Sequence, residues 1–371
     1  MFKKLCFFLL LPFVGYSQSL NVSVENRTAG NQYETFGLSQ QNVTISNSGI
    51  SFPATGLNFG DFLSYGVTAD YAMLGVLKNT MDGAKTFLLT TDADTLAAYP
   101  TISLSYSDPS LGIYPLSSGE VLLRNNIANF TLYNTQGNIA TSGSSGSQSE
   151  GGESISEVAM DPDGKTILLY TPKIKQGSQV GSQAKVLSDN NSTDNIFYSS
   201  DRFIKHATVS DNGQFIILVT AKERTDDKAI ILDRYGNELN SITTEEDLLA
   251  GYFTRDNDQL IIHSSRRAIV YNTLSSERIG STSFRSPLIL AQYFAEDHTI
   301  VGVTGSKVEN TEIYRNLEFH AINLEQRDIA RREFSGALGT SPSIGIQFLR
   351  EARGQYTLKG TNKIINLRAS F

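Results

Sequence analysis

Four histidines and a series of acidic turns are the residues of this chain whose types could support catalysis or metal binding. The histidines are His206, His263, His298 and His320, and none of them belongs to an H-E-x-x-H zinc motif. A zinc site would therefore need residues that are remote in sequence to converge. Polar roles in the core or at the surface are the favoured interpretation of these side chains.

Aspartates recur in short polar turns, as in 161–163 and 256–258, where their carboxylates could chelate calcium. No D-x-[DN]-x-[DN]-G loop is present, and 92–94 (DAD) is only half of one. Asp, Asn and Gly also shape tight turns, and we favour that role here. No G-x-S-x-G nucleophile motif occurs either. We therefore predict no catalytic residue, no metal site and no cofactor.

The composition is that of a folded protein. The chain has 371 residues, of which 40% are hydrophobic and 19% are charged. These values exclude a wholly disordered chain, a collagen-like fibre and a multi-span membrane protein. The net charge of -7 disfavours a nucleic-acid partner. The absence of tryptophan weakens a glycan-binding interpretation, because such sites favour indole platforms.

The first residues have the pattern of an export signal. Residues 1–17, MFKKLCFFLLLPFVGYS, place Lys3 and Lys4 before an apolar run that is too short to cross about 30 Å of hydrocarbon. Cys6 is the only cysteine, so the expected mature chain, 18–371, has neither a disulfide nor a thiol site. No later run of about 18 apolar residues exists, and no transmembrane segment is predicted in the mature chain.

A strand–turn–strand unit recurs about every 47 residues. Each copy has a short apolar strand, a polar turn and a strongly apolar second strand. The turns end at Tyr71, Gly119, Gly164, Gly213, Asp258, His298 and Gly354. A second hairpin follows most of these turns, so each unit is expected to supply four strands. Only 240–250 is predicted to hold a short turn of helix.

The turn Asp161-Pro162-Asp163-Gly164-Lys165 and the repeat length together resemble the WD40-like family of β-propellers. The resemblance covers roughly 65–371. The chain departs from the family in lacking a Trp-Asp dipeptide and a Gly-His pair before the first strand. The resemblance implies an all-β propeller of four-stranded blades, and it implies no particular activity.

The count of blades depends on the chain ends. After Gly354 there is room for only two more strands, so the last blade lacks a fourth. An N-terminal strand can fill that place, either LNVSVE (20–25) or NVTIS (42–46). We predict seven blades closed in this way, with six or eight as alternatives. The expected domain is 18–371, in which 18–64 closes the ring and 65–371 carries the repeats.

Two long polar stretches, 141–156 and 171–183, are predicted as loops on one face of the propeller. A band of basic residues on three consecutive blades is the candidate binding site on this face: Lys173, Lys175, Lys222, Arg224, Arg266 and Arg267. Acidic residues of the neighbouring connections cancel much of its charge. What remains suits an acidic partner surface.

These features favour a non-enzymatic protein-interaction module of the bacterial cell envelope. The signal resembles those of exported proteins of the Bacteroidetes type, and we expect a periplasmic protein that docks on an outer-membrane secretion or transport complex. Two alternatives stay open. One is a propeller that binds a small ligand or a glycan, and the other is a metal-dependent hydrolase or lactonase acting at the channel mouth.

Overall fold

The computed structural model describes residues 18–25, 35–37, 44–46, 49–52, 57–59, 62–80, 83–90, 95–102, 111–146, 155–176, 179–189, 191–222, 226–244, 246–340 and 345–371. The predicted signal at 1–17 lies outside these residues. The described part of the chain forms 33 β-strands and one 3-10 helix, Ala295–Asp297. The predicted all-β class is therefore confirmed.

The first strand, β1, is Ser19–Glu25. Four short strands then form an N-terminal sheet: β2 (Thr35–Gly37), β3 (Thr44–Ser46), β4 (Gly49–Phe52) and β5 (Leu57–Phe59). Seven further sheets follow in chain order and are numbered I to VII.

Sheet I contains β6 (Phe62–Val67), β7 (Met73–Thr80), β8 (Gly83–Thr90) and β9 (Thr95–Ile102). Sheet II contains β10 (Gly112–Pro115), β11 (Val121–Arg124), β12 (Asn129–Tyr133) and β13 (Ile139–Ser144). Sheet III contains β14 (Glu157–Met160), β15 (Ile167–Gln176), β16 (Gln179–Ser188) and β17 (Ser192–Ser199). Sheet IV contains β18 (Phe203–Val209), β19 (Phe215–Ala221), β20 (Asp227–Asp233) and β21 (Glu238–Thr244).

Sheet V contains β22 (Leu248–Phe253), β23 (Gln259–Ser264), β24 (Arg267–Asn272) and β25 (Arg278–Ser283). Sheet VI contains β26 (Leu288–Phe294), β27 (Thr299–Lys307), β28 (Ile313–Asn323) and β29 (Asp328–Phe334), with β30 (Leu338–Gly339) paired to β28. Sheet VII contains β31 (Gln347–Ala352), β32 (Gln355–Lys359), β33 (Ile364–Ser370) and β1.

Within sheets I to VI the first four strands pair antiparallel in chain order. The first strands of neighbouring sheets also lie close to one another, as β6 does to β10, β18 to β22 and β26 to β31. Four-stranded sheets that meet along their first strands and expose their fourth strands are the blades of a β-propeller. We call the side with the second–third loops and the connections between sheets the loop face, and the opposite side the turn face.

The N-terminal strand takes the place that the sequence left open. Ser19–Glu25 pairs antiparallel with Ile364–Ser370, Leu20 opposite Ala369, and so becomes the fourth strand of sheet VII. The alternative, 42–46, is wrong, because Thr44–Ser46 pairs with β2 and β4 instead. With the N-terminal sheet, the described residues contain eight sheets, seven of four strands and sheet VI of five, which is one sheet more than the predicted seven blades.

The predicted turns are confirmed, since each lies between the first and second strands of its sheet. Six of the seven residues that end them have a positive φ, and in sheet V it is Asn257, one residue before the predicted Asp258. A turn that needs a left-handed residue selects Gly or Asn at that position. Asp161 shows the role of the turn acids, because its carboxylate accepts the backbone N–H groups of Asp163, Lys165 and Thr166.

The second strands are strongly apolar because they are buried on both faces. In β19, Ile216 and Leu218 pack in the core between sheets III and IV. Ile217 and Val219, which point the other way, pack in the core between sheets IV and V. A continuous apolar run is therefore needed in each middle strand, which is the feature that made the repeat visible in the sequence.

Three local predictions are wrong. The stretch 171–183 is not a loop, because β15 and β16 extend through most of it as a long hairpin. The first part of 141–156 belongs to β13, and 147–154 lies outside the described residues. The predicted helical turn at 240–250 is replaced by the end of β21 and the start of β22. In each case pairing with a neighbouring strand outweighed a polar local composition.

Candidate binding face

The structure places five of the six predicted basic residues on the loop face, and Arg224 lies outside the described residues. Lys173 and Lys175 project from the extended part of β15 and are exposed. Lys222 follows β19, Arg266 lies in the second–third turn of sheet V, and Arg267 begins β24. Three of the five residues thus lie on strands, and Lys222 and Arg266 lie in the second–third connections of sheets IV and V.

Two of these cations are neutralised by acids from the connections between sheets. Lys222 Nζ lies 2.7 Å from a carboxylate oxygen of Asp201. Arg267 donates to Glu246 at 2.8 Å, and Ser264 donates to the other oxygen of the same carboxylate at 2.6 Å. The hydrogen bonds from Ser264 and Arg267 lower the pKa of Glu246 and keep it ionised.

The other three cations have no acidic partner among the described residues. Arg266 and Lys175 are exposed, with no ion pair in that part of the chain. The Lys173 ammonium lies 4.8 Å from the ring centre of Phe203 in sheet IV, a cation–π contact that leaves its charge uncompensated. Within the predicted band, the positive charge that is not paired with an acid therefore lies at Lys173, Lys175 and Arg266.

Two cations on the same face were missed by the sequence reasoning. Arg202, which is 8% exposed, donates to Thr220 and Asp226 at 3.2 Å each. Lys205, on β18, donates to Asp227 at 3.0 Å and to Asp247. Arg202 thus fixes the connection into sheet IV, and Lys205 ties the first strand of sheet IV to β20 and to the connection into sheet V. The sequence signal was a cation just before or within a first strand, with acids about 20 and 40 residues later.

A groove of about 460 Å³ opens on the loop face at sheet V. It is lined by Glu246, Asp247, Ser264, Ser265, Arg266 and Arg267, among others. In this groove the Arg267 guanidinium is bound to Glu246, and the side chain of the preceding residue, Arg266, is exposed to solvent. The groove therefore presents a fixed charge pair beside an available cation, which suits recognition of a carboxylate or a similar oxyanion.

Two of the histidines meet through a tyrosine where sheets IV and V pack together. The ring centre of Tyr252 lies 5.1 Å from that of His206 and 6.0 Å from that of His263. Burial lowers the pKa of each histidine to about 4, and the neighbouring His263 adds to the effect on His206. Within the described residues, no three His, Cys, Asp or Glu side chains are grouped so that they could hold a metal ion.

Buried hydroxyls cluster where sheets II and III meet on the loop face. Ser145 Oγ lies 2.6 Å from Ser156 Oγ, which lies 3.2 Å from Thr171 Oγ1. Gln183 donates to the carbonyl of Ser145 at 2.6 Å. The hydroxyls bond to one another, and within the described residues they contact neither a histidine nor a carboxylate. Their arrangement stabilises the packing of the long β15–β16 hairpin on sheet II.

No protein-family model matches this chain, and no curated protein sequence matches it. Among solved structures, the chain is similar to the β-propeller domain of Cps50 (Swd1) from Myceliophteria thermophila. The TM-score is 0.49, with 10% sequence identity over 85% of this chain and 98% of that domain. It is also similar to a crystal structure described as the eukaryotic initiation factor, with a TM-score of 0.45 and 9% identity over 85% of this chain and 89% of that one.

The class of the protein therefore rests on its own strand order and packing, which are those of a β-propeller. As for membrane crossing, no helix in the described part of the chain has the length and apolar character that a span requires.

Proposed function

We propose that this chain is a non-enzymatic protein-interaction module of the bacterial cell envelope, and that its loop face binds the partner. The observation that carries the proposal is the set of three uncompensated cations, Lys173, Lys175 and Arg266, beside neighbours that are paired with acids. A rigid scaffold that displays selected charges on one face is suited to an electrostatically complementary surface.

The scaffold we propose is a closed ring of the seven sheets I to VII. In support of closure, the Tyr71 hydroxyl of sheet I donates to the carbonyl of Gly345, just before sheet VII. Leu349 of sheet VII packs against the core cluster that contains Leu74 and Val76 of sheet I. The pairing of β1 with β33 would then hold the first and last parts of the ring together.

The proposed location is the periplasm, with docking on an outer-membrane secretion or transport complex. The support is the signal-like pattern of 1–17, with its two lysines, its short apolar run and the small residues that precede the expected cleavage. The proposed partner is a protein, and no cofactor enters the proposal.

The experiment is affinity purification of the tagged chain from gently solubilised envelopes of its native host, with mass spectrometry of the recovered proteins. We expect stoichiometric recovery of an outer-membrane component with the native chain. The combined variant Lys173→Glu, Lys175→Glu and Arg266→Glu should lose that component. Arg353→Glu is the matched control, because Arg353 is an exposed cation on the turn face of sheet VII. Recovery of the native chain alone would overturn the proposal.

A further inference from the structure

A groove with a volume of about 990 Å³ lies at the outer edge of sheet VI. It opens where β28 bulges. Thr304 pairs with Glu318 and Ser306 pairs with Arg315, so Asn316 and Leu317 together face Gly305. Asn316 takes the left-handed conformation that this bulge needs, with a φ of 54°. Bulges often mark places where a sheet edge is reshaped for binding.

Three arginines line this groove: Arg285, Arg331 and Arg332. Arg331 makes only a long contact, 3.9 Å, with Glu318, whose other oxygen lies 3.5 Å from His320. Arg285 and Arg332 have no acidic partner in the described part of the chain, and both are exposed. Glu333 is the one other acid in the lining. Unpaired guanidiniums offer planar pairs of donors that match carboxylates.

The two apolar residues of the lining, Leu317 and Phe334, are already packed against neighbouring side chains. Leu317 is 2% exposed. The Phe334 ring meets Phe319 edge-on, with 6.1 Å between the ring centres, and the Lys363 ammonium lies 5.3 Å from its centre. Because the ring is engaged by these neighbours, it is a poor platform for stacking a sugar. The chemistry of the groove therefore favours a peptide over a glycan.

The backbone of β29 supplies the second element of recognition. Arg331, Arg332 and Glu333 are exposed, and among the described residues β29 pairs with β28 alone. The opposite edge therefore carries backbone donors and acceptors that have no strand partner. A peptide can add to such an edge as a further strand. Side chains alternate across a strand, so an added strand would have Arg331 beside one of its faces and Arg332 beside the other.

We infer that this groove and the free edge of β29 bind an extended, carboxylate-rich segment of a partner protein by strand addition. The inference rests on the proposed interaction function and gives it a specific site and a specific partner chemistry. Arg285 and Arg332 bind the carboxylates, and the β29 backbone orders the segment. The site is distinct from the band on sheets III to V and uses none of its residues.

The test uses the full chain from residue 18 and a fluorescein-labelled peptide of Thr-Asp-Asp repeats, which carries carboxylates on both faces of an extended strand. A matched peptide carries asparagine in place of aspartate, and a third carries N-methyl groups along the edge that would face β29. Binding is followed by fluorescence anisotropy. We expect the aspartate peptide to bind, and the other two to bind about tenfold more weakly or worse because each loses charge-assisted or backbone hydrogen bonds.

The combined variant Arg285→Ala and Arg332→Ala should weaken binding of the aspartate peptide by about tenfold or more, since two charge-assisted contacts are removed. Arg353→Ala should leave it unchanged. Equal affinities for the N-methylated and unmodified peptides would overturn strand addition. If the Arg285→Ala and Arg332→Ala double variant binds the aspartate peptide as tightly as Arg353→Ala does, the proposed site is wrong. Tighter binding of dextran sulfate than of the peptide, lost in the same double variant, would assign the groove to a polysaccharide and overturn the inference.

Envelope purification with the same double variant separates this inference from the proposed function. Loss of the partner supports both. Retention of the partner by the double variant, together with its loss from the Lys173, Lys175 and Arg266 variant, would overturn the groove and leave the interaction function standing. Recovery of no partner by the native chain would overturn the interaction function, whatever the peptide measurements show.

Discussion

Two interfaces between neighbouring sheets bury polar side chains in opposite ways. Where sheets VI and VII meet, Asp297 is ionised and fully partnered. It accepts two hydrogen bonds from Arg350, at 2.8 and 2.9 Å, one from the Gly354 N–H at 3.2 Å and one from the Tyr356 hydroxyl at 2.9 Å. Where sheets IV and V meet, His206 and His263 are packed around Tyr252, and among the described residues the buried Nε2 of His263 finds no hydrogen-bond partner.

The difference shows that hydrogen-bond partners decide whether a buried side chain is ionised. Burial raises the pKa of Asp297, but the hydrogen bonds from Arg350, Gly354 and Tyr356 outweigh that effect and hold the pKa below its usual value. For His206 and His263 burial is the largest effect, and the imidazoles stay neutral. One interface is therefore stabilised by a charge, and the other tolerates polar groups only while they carry none.

The largest expected effect comes from removing the ionised partner. Asp297→Ala leaves the Arg350 guanidinium without its acid and the Tyr356 hydroxyl without its acceptor, so it should lower the free energy of unfolding by about 4 kcal/mol. Urea denaturation measures this. Asp258→Ala is the control, because Asp258 lies in the corresponding turn of sheet V and is exposed. A loss of the same size in both variants would show that the network at Asp297 has no special role.

The second prediction tests whether the VI–VII interface also depends on β1. Leu20 is 5% exposed and packs in the core shared by sheets VI and VII. Leu20→Ala should lower the free energy of unfolding by about 3 kcal/mol, since it removes buried methyl groups and leaves a cavity. Asn21→Ala, at the exposed neighbouring position, should be nearly neutral. If the Leu20 variant unfolds at the same urea concentration as the native chain, β1 contributes little to the fold.

The third prediction separates the two interfaces by pH. In the unfolded chain histidine titrates near pH 6.5, and the folded pKa of His206 and His263 is about 4. The unfolded state therefore binds more protons between these values, and stability falls as the pH is lowered through them. At pH 5 each of these histidines should lower the free energy of unfolding by about 2 kcal/mol relative to its value at pH 8. The contribution of Asp297, whose pKa is lowered, should be lost only below about pH 4.

Denaturation midpoints measured from pH 8 to pH 4 check this order. His263→Phe keeps an aromatic ring beside Tyr252 and should remove roughly a third of the loss of stability at pH 5, because His206 and His320, whose pKa burial also lowers to about 4, still titrate. His298→Asn is the control, because His298 is exposed and its left-handed backbone conformation suits asparagine. An unchanged pH profile for His263→Phe would show that another group causes the acid sensitivity.

The smallest effect is expected on the loop face, where ion pairs are open to solvent. The side chains of Arg267 and Glu246 are 35% and 34% exposed. Arg267→Ala should therefore lower the free energy of unfolding by less than about 1 kcal/mol, and added salt should reduce the difference further. Stability measured at low and high salt tests this. A loss as large as that of Asp297→Ala would remove the contrast between exposed and buried charges.

The sequence by itself determined the hairpins of the fold, because a turn and the strands beside it depend on residues that are close together in the chain. A turn that ends in Gly164 or Gly213 and is followed by a strongly apolar strand predicts a hairpin, because the left-handed turn residue and the doubly buried strand are local requirements. The strand 20–25 was found by the same local pattern, together with the need for a fourth strand in the last sheet. The sheet at 35–59 was not predicted, since its strands have three or four residues each.

Only the tertiary structure decided which side chains meet. Asp297 and Arg350 are separated by 53 residues along the chain. His206 and His263 come together only because adjacent sheets pack face to face. The neutralisation of Lys222 by Asp201 and the exposure of Arg285 and Arg332 likewise depend on how one sheet lies on the next. The repeat places equivalent residues about 47 positions apart, whereas charge and pKa depend on distances of a few ångströms between sheets.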